Sequence, residues 1–166
     1  MWNHIKEYWH RYVGGSAAAF IAAILISQMN TAVPNSPVVK WVSNTTVELV
    51  QPFVSTSGIY IIHEEIGFQS DGASEPIATW TALGLNPFSG ASIEASFDHD
   101  GLYEAELLPR DTCDLIFKER LLANGVAEEK ANAMYLAVHA GGAAVWARHT
   151  TQSVAEARKL VHLERQ

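Results

Sequence analysis

Gly58-Ile59-Tyr60-Ile61-Ile62-His63 is the run on which the fold class turns. It is β-branched and aromatic, too short for a typical helix, and preceded by the turn-forming Ser55-Thr56-Ser57, so it reads as a strand. Upstream, Val38-Val39-Lys40-Trp41-Val42 and Thr45 to Val50 have the same character, separated by Ser43-Asn44 and followed by Pro52. Three or four short strands are predicted, arranged as an antiparallel meander. Pro52 lacks an N–H to donate and must lie at an edge, a bulge or a turn. His63, closing the run, reads as an edge histidine with its hydrogen bonds satisfied.

Downstream the pattern becomes helical. Asp71-Gly72 is turn chemistry, and Ser74 is placed to cap a short helix starting near Pro76. Helices are predicted over Ser89–Leu107, with Ser89 or Ser92 as N-cap, over Asp111–Ala123, closed by Asn124-Gly125, and over Ala127–His149. A fourth, amphipathic helix is predicted over Ser153–Glu164. The second helix is expected to bury Leu115, Ile116, Leu122 and Phe117, and the third Met134, Val138, Val145 and Trp146. The fold class is therefore α+β, a small antiparallel β-meander followed by a helical hairpin or bundle, with residues 38–166 forming one domain.

Ahead of that domain, residues 1–29 form a separate N-terminal apolar helix and residues 30–37 a linker. No Asp, Glu, Lys or Arg occurs between Arg11 and Lys40. The apolar run Val13 to Ile26 follows Lys6, Arg11, Trp2, Tyr8, Trp9 and Tyr12, and basic and aromatic residues before such a run mark membrane entry. Three readings fit: a transmembrane anchor near the short limit, a secretory signal, or a small-residue helix packed in an assembly. Membrane lipid or other proteins of an assembly are the partners expected for this segment, with a homo-oligomer in the assembly case.

The formal charge of −7 disfavours a nucleic-acid partner, since such proteins carry a basic face. One cysteine, Cys113, excludes an internal disulfide framework and a Cys-rich zinc site. The charge is concentrated. Between Glu94 and Glu119 lie eight acids against only Arg110 and Lys118.

Within that stretch, Asp98-His99-Asp100-Gly101-Leu102-Tyr103 sets a histidine between two carboxylates. Histidine is the natural base near neutral pH. On a helix Asp100 points about 100° away from His99, which assigns it to a cation rather than to the imidazole. The group that orients His99 must then come from another element, and Asp114 on the next helix is the best placed. Clustered carboxylates favour a hard cation such as Ca²⁺. Set against this, acids at a helix start complement the macrodipole, and a charge run is also what a solvated face looks like. His139, in Leu136-Ala137-Val138-His139, reads as a packed core histidine.

Four ordered motifs are similar to those of a family of bacteriophage and prophage proteins catalogued as a domain of unknown function. They are Gly67-Phe68 with Asp71-Gly72-Ala73-Ser74-Glu75-Pro76, then His99-Asp100-Gly101-Leu102-Tyr103, then Cys113-Asp114-Leu115-Ile116-Phe117, then Met134-Tyr135-Leu136-Ala137-Val138. The resemblance covers about residues 46–148. Ile77 and Cys113 depart from it, where the family often has a basic residue and usually alanine. More distantly, the helical half resembles the phospholipase A2 helix pair, with its H-D-x-x-Y helix and a following C-D or A-D. That resemblance implies His99 as base, Asp100 as calcium ligand, Asp114 as orienter and Tyr103 as hydrogen-bond partner of Asp114. The glycine-rich calcium loop and the disulfides of the secreted enzymes are absent, and Gly84 to Gly90 is the loop left to offer carbonyls.

The phage resemblance implies other virion proteins or membrane lipid as partners of residues 1–29 and a virion or a bacterial host membrane as the location, and three functions follow as expectations. One is a phage-encoded, calcium-dependent ester hydrolase of phospholipase A2 type acting at membranes. Another is a structural or accessory virion protein, in a tail or ejection apparatus, without catalytic activity. The third is a metal-dependent cell-wall hydrolase using His99, Asp100 and Asp71.

Overall fold

A computed structural model describes residues 36–72, 77–88 and 90–166 of the chain. The N-terminal helix predicted over residues 1–29, nearly all of the linker, and the caps assigned to Ser74 and Ser89 lie outside those residues. Among the described residues no helix is long and apolar enough to cross a membrane.

The domain is α+β, with its strands divided between two small antiparallel sheets. Strands β1 (Val39–Trp41), β2 (Val47–Leu49) and β5 (Gln69–Ser70) form one, in the order β1-β2-β5. Strands β3 (Phe53–Ser57), β4 (Tyr60–Glu64) and β6 (Val161–Arg165) form the other, in the order β3-β4-β6. A single meander is thus replaced by two sheets, and the break falls at Pro52, which lies between β2 and β3. The Ser55-Thr56-Ser57 segment, read as a turn, is the end of β3. The reversal is the two-residue loop Gly58-Ile59, where Gly58 takes φ +57°, a value that favours glycine at the first position of a tight hairpin. His63 lies on the central strand, opposite Val54 and His162, with its Nε2 3.6 Å from Glu164.

The helices are α1 (Ile77–Ala82), α2 (Ile93–Glu104), α3 (Arg110–Ala123), α4 (Glu128–Trp146) and α5 (Thr151–Ala157). The fourth predicted helix is corrected. Thr150 caps α5 through a reciprocal bond with Ser153, the helix stops at Ala157, and residues 161–165 pair with β4. Val161 and Leu163 alternate with His162 and Glu164, a period of two that a short apolar run does not separate from a helical one.

α2 is the axis of the domain. Every residue from Ile93 to Tyr103 is buried, whatever its polarity, which is the mark of an interior helix rather than an amphipathic one. Phe97 on this helix meets Phe53 and Phe68 edge-on, at 6.5 and 6.1 Å between centroids. A second apolar cluster holds Trp80, Phe117, Leu121, Met134 and Val138. In α3 the buried positions are Cys113, Asp114, Ile116, Phe117 and Leu121. Leu115 and Leu122 are exposed, at 47% and 38%, which corrects the predicted stripe by one position.

Because α2 carries buried acids, the sheet facing it is polar at those points. Ser55 Oγ donates to Asp98 Oδ1 (2.5 Å), and Arg120 Nε lies 2.7 Å from Asp98 Oδ2. Arg120 also donates to Glu94. Two of the eight acids in the run read as a cation-seeking cluster are therefore compensated inside the fold. Glu64 is the exception. It is fully buried, and neither carboxyl oxygen has a hydrogen-bond partner. Burial, followed by the charges of Asp98 and Asp100, pushes its pKa well above the ordinary carboxylate range. A carboxyl whose folded pKa exceeds its unfolded one costs stability as pH rises from the unfolded value toward the folded one. Glu64→Gln removes that cost. The unfolding temperature of the variant is expected to gain on wild type as pH rises above the ordinary carboxylate range, as read by thermal melts across pH. A difference that does not change with pH would contradict a protonated Glu64.

Candidate functional site

The site forms where α2, α3 and α4 meet. Asp114 on α3 is completely buried, so its charge demands partners from neighbouring elements. It has three. His99 Nε2 on α2 lies 3.0 Å from Oδ1. His139 Nδ1 on α4 lies 3.0 Å from Oδ2, and Arg110 Nη1 donates to the same oxygen at 3.1 Å. Arg110 Nη1 also donates to the His139 carbonyl at 2.9 Å, and its Nη2 lies 3.1 Å from Asp111. Burial opposes the Asp114 charge, but the bonds from His99 and His139 outweigh it and hold the carboxyl below its ordinary value.

His99 is itself buried. Its Nδ1 makes no hydrogen bond and lies 3.5 Å from Asp100 Oδ1. The expectation that Asp100 turns away from the imidazole is thus corrected, because two carboxylates flank one ring. Burial disfavours the imidazolium, yet Asp100 and Asp114 together override it and raise the His99 pKa. With Nε2–H donated to Asp114, the neutral ring carries its lone pair on Nδ1. Ser70 Oγ donates to Asp100 Oδ2 at 2.5 Å, and the Gly72 N–H donates to Ser70 Oγ at 3.2 Å.

Tyr103 stacks on His99, with centroids 5.0 Å apart and planes at 29°. Its hydroxyl donates to the Gly142 carbonyl at 2.5 Å. The partner role that the resemblance gave Tyr103 on Asp114 is filled by Arg110 and His139 instead. Gly142 permits the approach, since a Cβ there would overlap the Tyr103 hydroxyl.

These groups border a cavity of about 730 Å³. Asp71, Asp100 and Glu104 supply its acidic side, with His99 and Tyr103 beside them. Ala137, Val138 and Val145 give an apolar wall, and Arg148, His149 and Ser153 complete the lining. Glu104 keeps an exposed surface at the rim. Withdrawal from solvent, then the Asp100 and Asp71 charges, push it up to about 8. None of the described residues of the Gly84–Gly90 loop lines the cavity. Its Pro87 packs instead on Gly72, where a Cβ would lie 2.6 Å away. Cys113 is no nucleophile here, as burial and the Asp114 charge push its thiol up to about 12.

Asp111, Asp114 and His139 offer ligand atoms within 4.8 Å of one another. Arg110 already bonds both carboxylates, so a fixed cation stands where a metal would bind. Sequence reasoning missed Arg110 and His139. Arg110 was readable, four residues before Asp114 on one helix face. His139 comes from a third helix, and nothing local announces the contact.

A family model described as "Protein of unknown function (DUF1353)" matches residues 47–138, from β2 to the middle of α4. Over 72 residues the chain is 40% identical to the uncharacterized protein y4jT of Sinorhizobium fredii, a match covering 43% of this chain. It covers 21% of that protein, so the chain spans about a fifth of this relative's length. No solved structure matches.

Proposed function

The chain belongs to the DUF1353 family of proteins of unknown function, and for this member we propose a cation-assisted ester hydrolase of phospholipase A2-like mechanism with His99 as general base. The observation that carries the reading is the His99 ring. One nitrogen is anchored on a buried carboxylate, the other is buried without a hydrogen bond and faces Asp100 at 3.5 Å, and the ring borders a cavity. An orienter, a base and room for substrate are the parts that general-base hydrolysis needs.

His99 Nδ1 takes a proton from water as the oxygen attacks the ester carbonyl. The same proton is returned to the departing alkoxide, giving a carboxylic acid and an alcohol. Asp114 keeps the ring in the tautomer that can accept and stabilises the imidazolium that forms. The oxygen-rich side of the cavity, where Asp71, Asp100 and Glu104 lie, favours a hard cation. Asp100 would hold Ca²⁺, which when bound supplies charge to polarise the ester carbonyl. The Val13–Ile26 run and the apolar wall favour a lipid acyl ester, the substrate of a phage protein acting at membranes.

Wild type is expected to release fatty acid from phosphatidylglycerol vesicles in the presence of millimolar calcium. His99→Asn is expected to lower that rate by about a thousandfold or more, read by titrating released acid. Since the base works unprotonated, the rate is expected to climb with pH as His99 loses its proton. No release by wild type ends the reading. A second reading, an accessory virion component, draws on exposed Leu115, Leu122 and Leu136, which suit packing in an assembly. Absence of hydrolysis together with a stable oligomer in sedimentation would favour it.

A further inference from the structure

We propose that His139 is a positioning residue that fixes the His99 ring through Asp114. Its consequence for rate rests on the hydrolase reading, whereas its consequence for the ring does not.

The two oxygens of Asp114 are used unequally. Among the described residues Oδ1 serves His99 alone, while Oδ2 receives both His139 and Arg110. The terminal torsion of an aspartate is soft and two-fold, so a carboxylate held only at Oδ1 could rock about its bond to His99. The pair of donors on Oδ2 removes that freedom. His139 contributes twice, because its ring donates to Oδ2 and its carbonyl receives Arg110, the other donor. The ring is itself steadied by stacking on Tyr135, with centroids 5.5 Å apart and planes at 21°. Asp111 Oδ1, at 4.0 Å from Nδ1, is the remaining charged group facing it. A residue read from sequence as core packing therefore stands second in line from the base, on a helix that supplies the opposite wall of the cavity.

The interaction needs one N–H at the position of Nδ1. Asparagine offers one from a side-chain amide of similar reach, and alanine does not, so the two variants separate positioning from bulk. The full chain, labelled with ¹⁵N-histidine, is observed by NMR. In wild type and His139→Asn, His99 is expected to show protonated Nε2 and unprotonated Nδ1 when neutral, with a slowly exchanging Nε2–H. In His139→Ala that proton is expected to exchange about tenfold faster or more, and the ring nitrogens to move toward a mixture of tautomers. Ester cleavage is expected to fall about tenfold in kcat with KM unchanged for His139→Ala, and to stay near wild type for His139→Asn.

Unchanged His99 resonances and exchange in a folded His139→Ala would overturn the proposal. So would a His139→Asn protein whose His99 signals depart from wild type, which remains decisive if the alanine variant fails to fold. If wild type cleaves no ester, the hydrolase reading falls and the ring measurements still decide the role of His139.

Discussion

Asp114→Ala is expected to cost about 3–5 kcal/mol of folding stability, far more than an exposed ion pair would. The carboxylate is wholly buried and joins α2, α3 and α4 through His99, Arg110 and His139. Its removal leaves the His99 and His139 donors without their acceptor, and the Arg110 guanidinium keeps the His139 carbonyl and exposed Asp111 but loses its buried counter-charge. Denaturant titration measures the loss. Asp114→Asn is expected to be milder but still severe, because the amide group turns a donor toward donors. A loss below about 1 kcal/mol for Asp114→Ala would show that the three helices do not depend on this carboxylate.

Gly101→Ala is expected to destabilise by about 2 kcal/mol or more, against the usual rule for helices. In an ordinary helix interior that change gains about 0.5–1 kcal/mol. Here a Cβ would overlap Glu64 Oε1 and sit 3.3 Å from Val161 Cγ1. Overpacking of a filled interior costs about 1–3 kcal/mol, and the fully buried Glu64 carboxyl would have to shift within the core to make room. The overlap therefore wins. Combining Gly101→Ala with Glu64→Ala tests the cause, since the double variant is expected to lose less than the two single losses together. Strict additivity would place the strain elsewhere.

Much of this was legible in the residues. The β-branched runs and the Asn124-Gly125 stop indicate short strands followed by helices, and the H-D-x-x-Y spacing with a following Asp singles out His99, Asp100 and Asp114. What the pattern could not carry was pairing. Whether Val161 and Leu163 mark a helix or a strand is decided by β4, a hundred residues away in sequence. The polarity of α2 misleads as well. An acidic helix reads as a solvated face, yet Asp98 and Glu94 are buried because Arg120 and Ser55 reach them from α3 and β3. His139 was assigned to the core for the same reason, since its partner lies on another helix.

The pairing of β6 with β4 also sets the order in which the molecule can be completed. As the chain leaves the ribosome, β3 and β4 are made early and can close their hairpin at once, but the far edge of β4 stays bare until residues 161–165 emerge. An unpaired edge is a template for foreign strands, and closure over so long a loop is slow. During synthesis the nascent domain thus carries an open seam beside an unpartnered Glu64, and its exposure to misassembly ends only with its last strand.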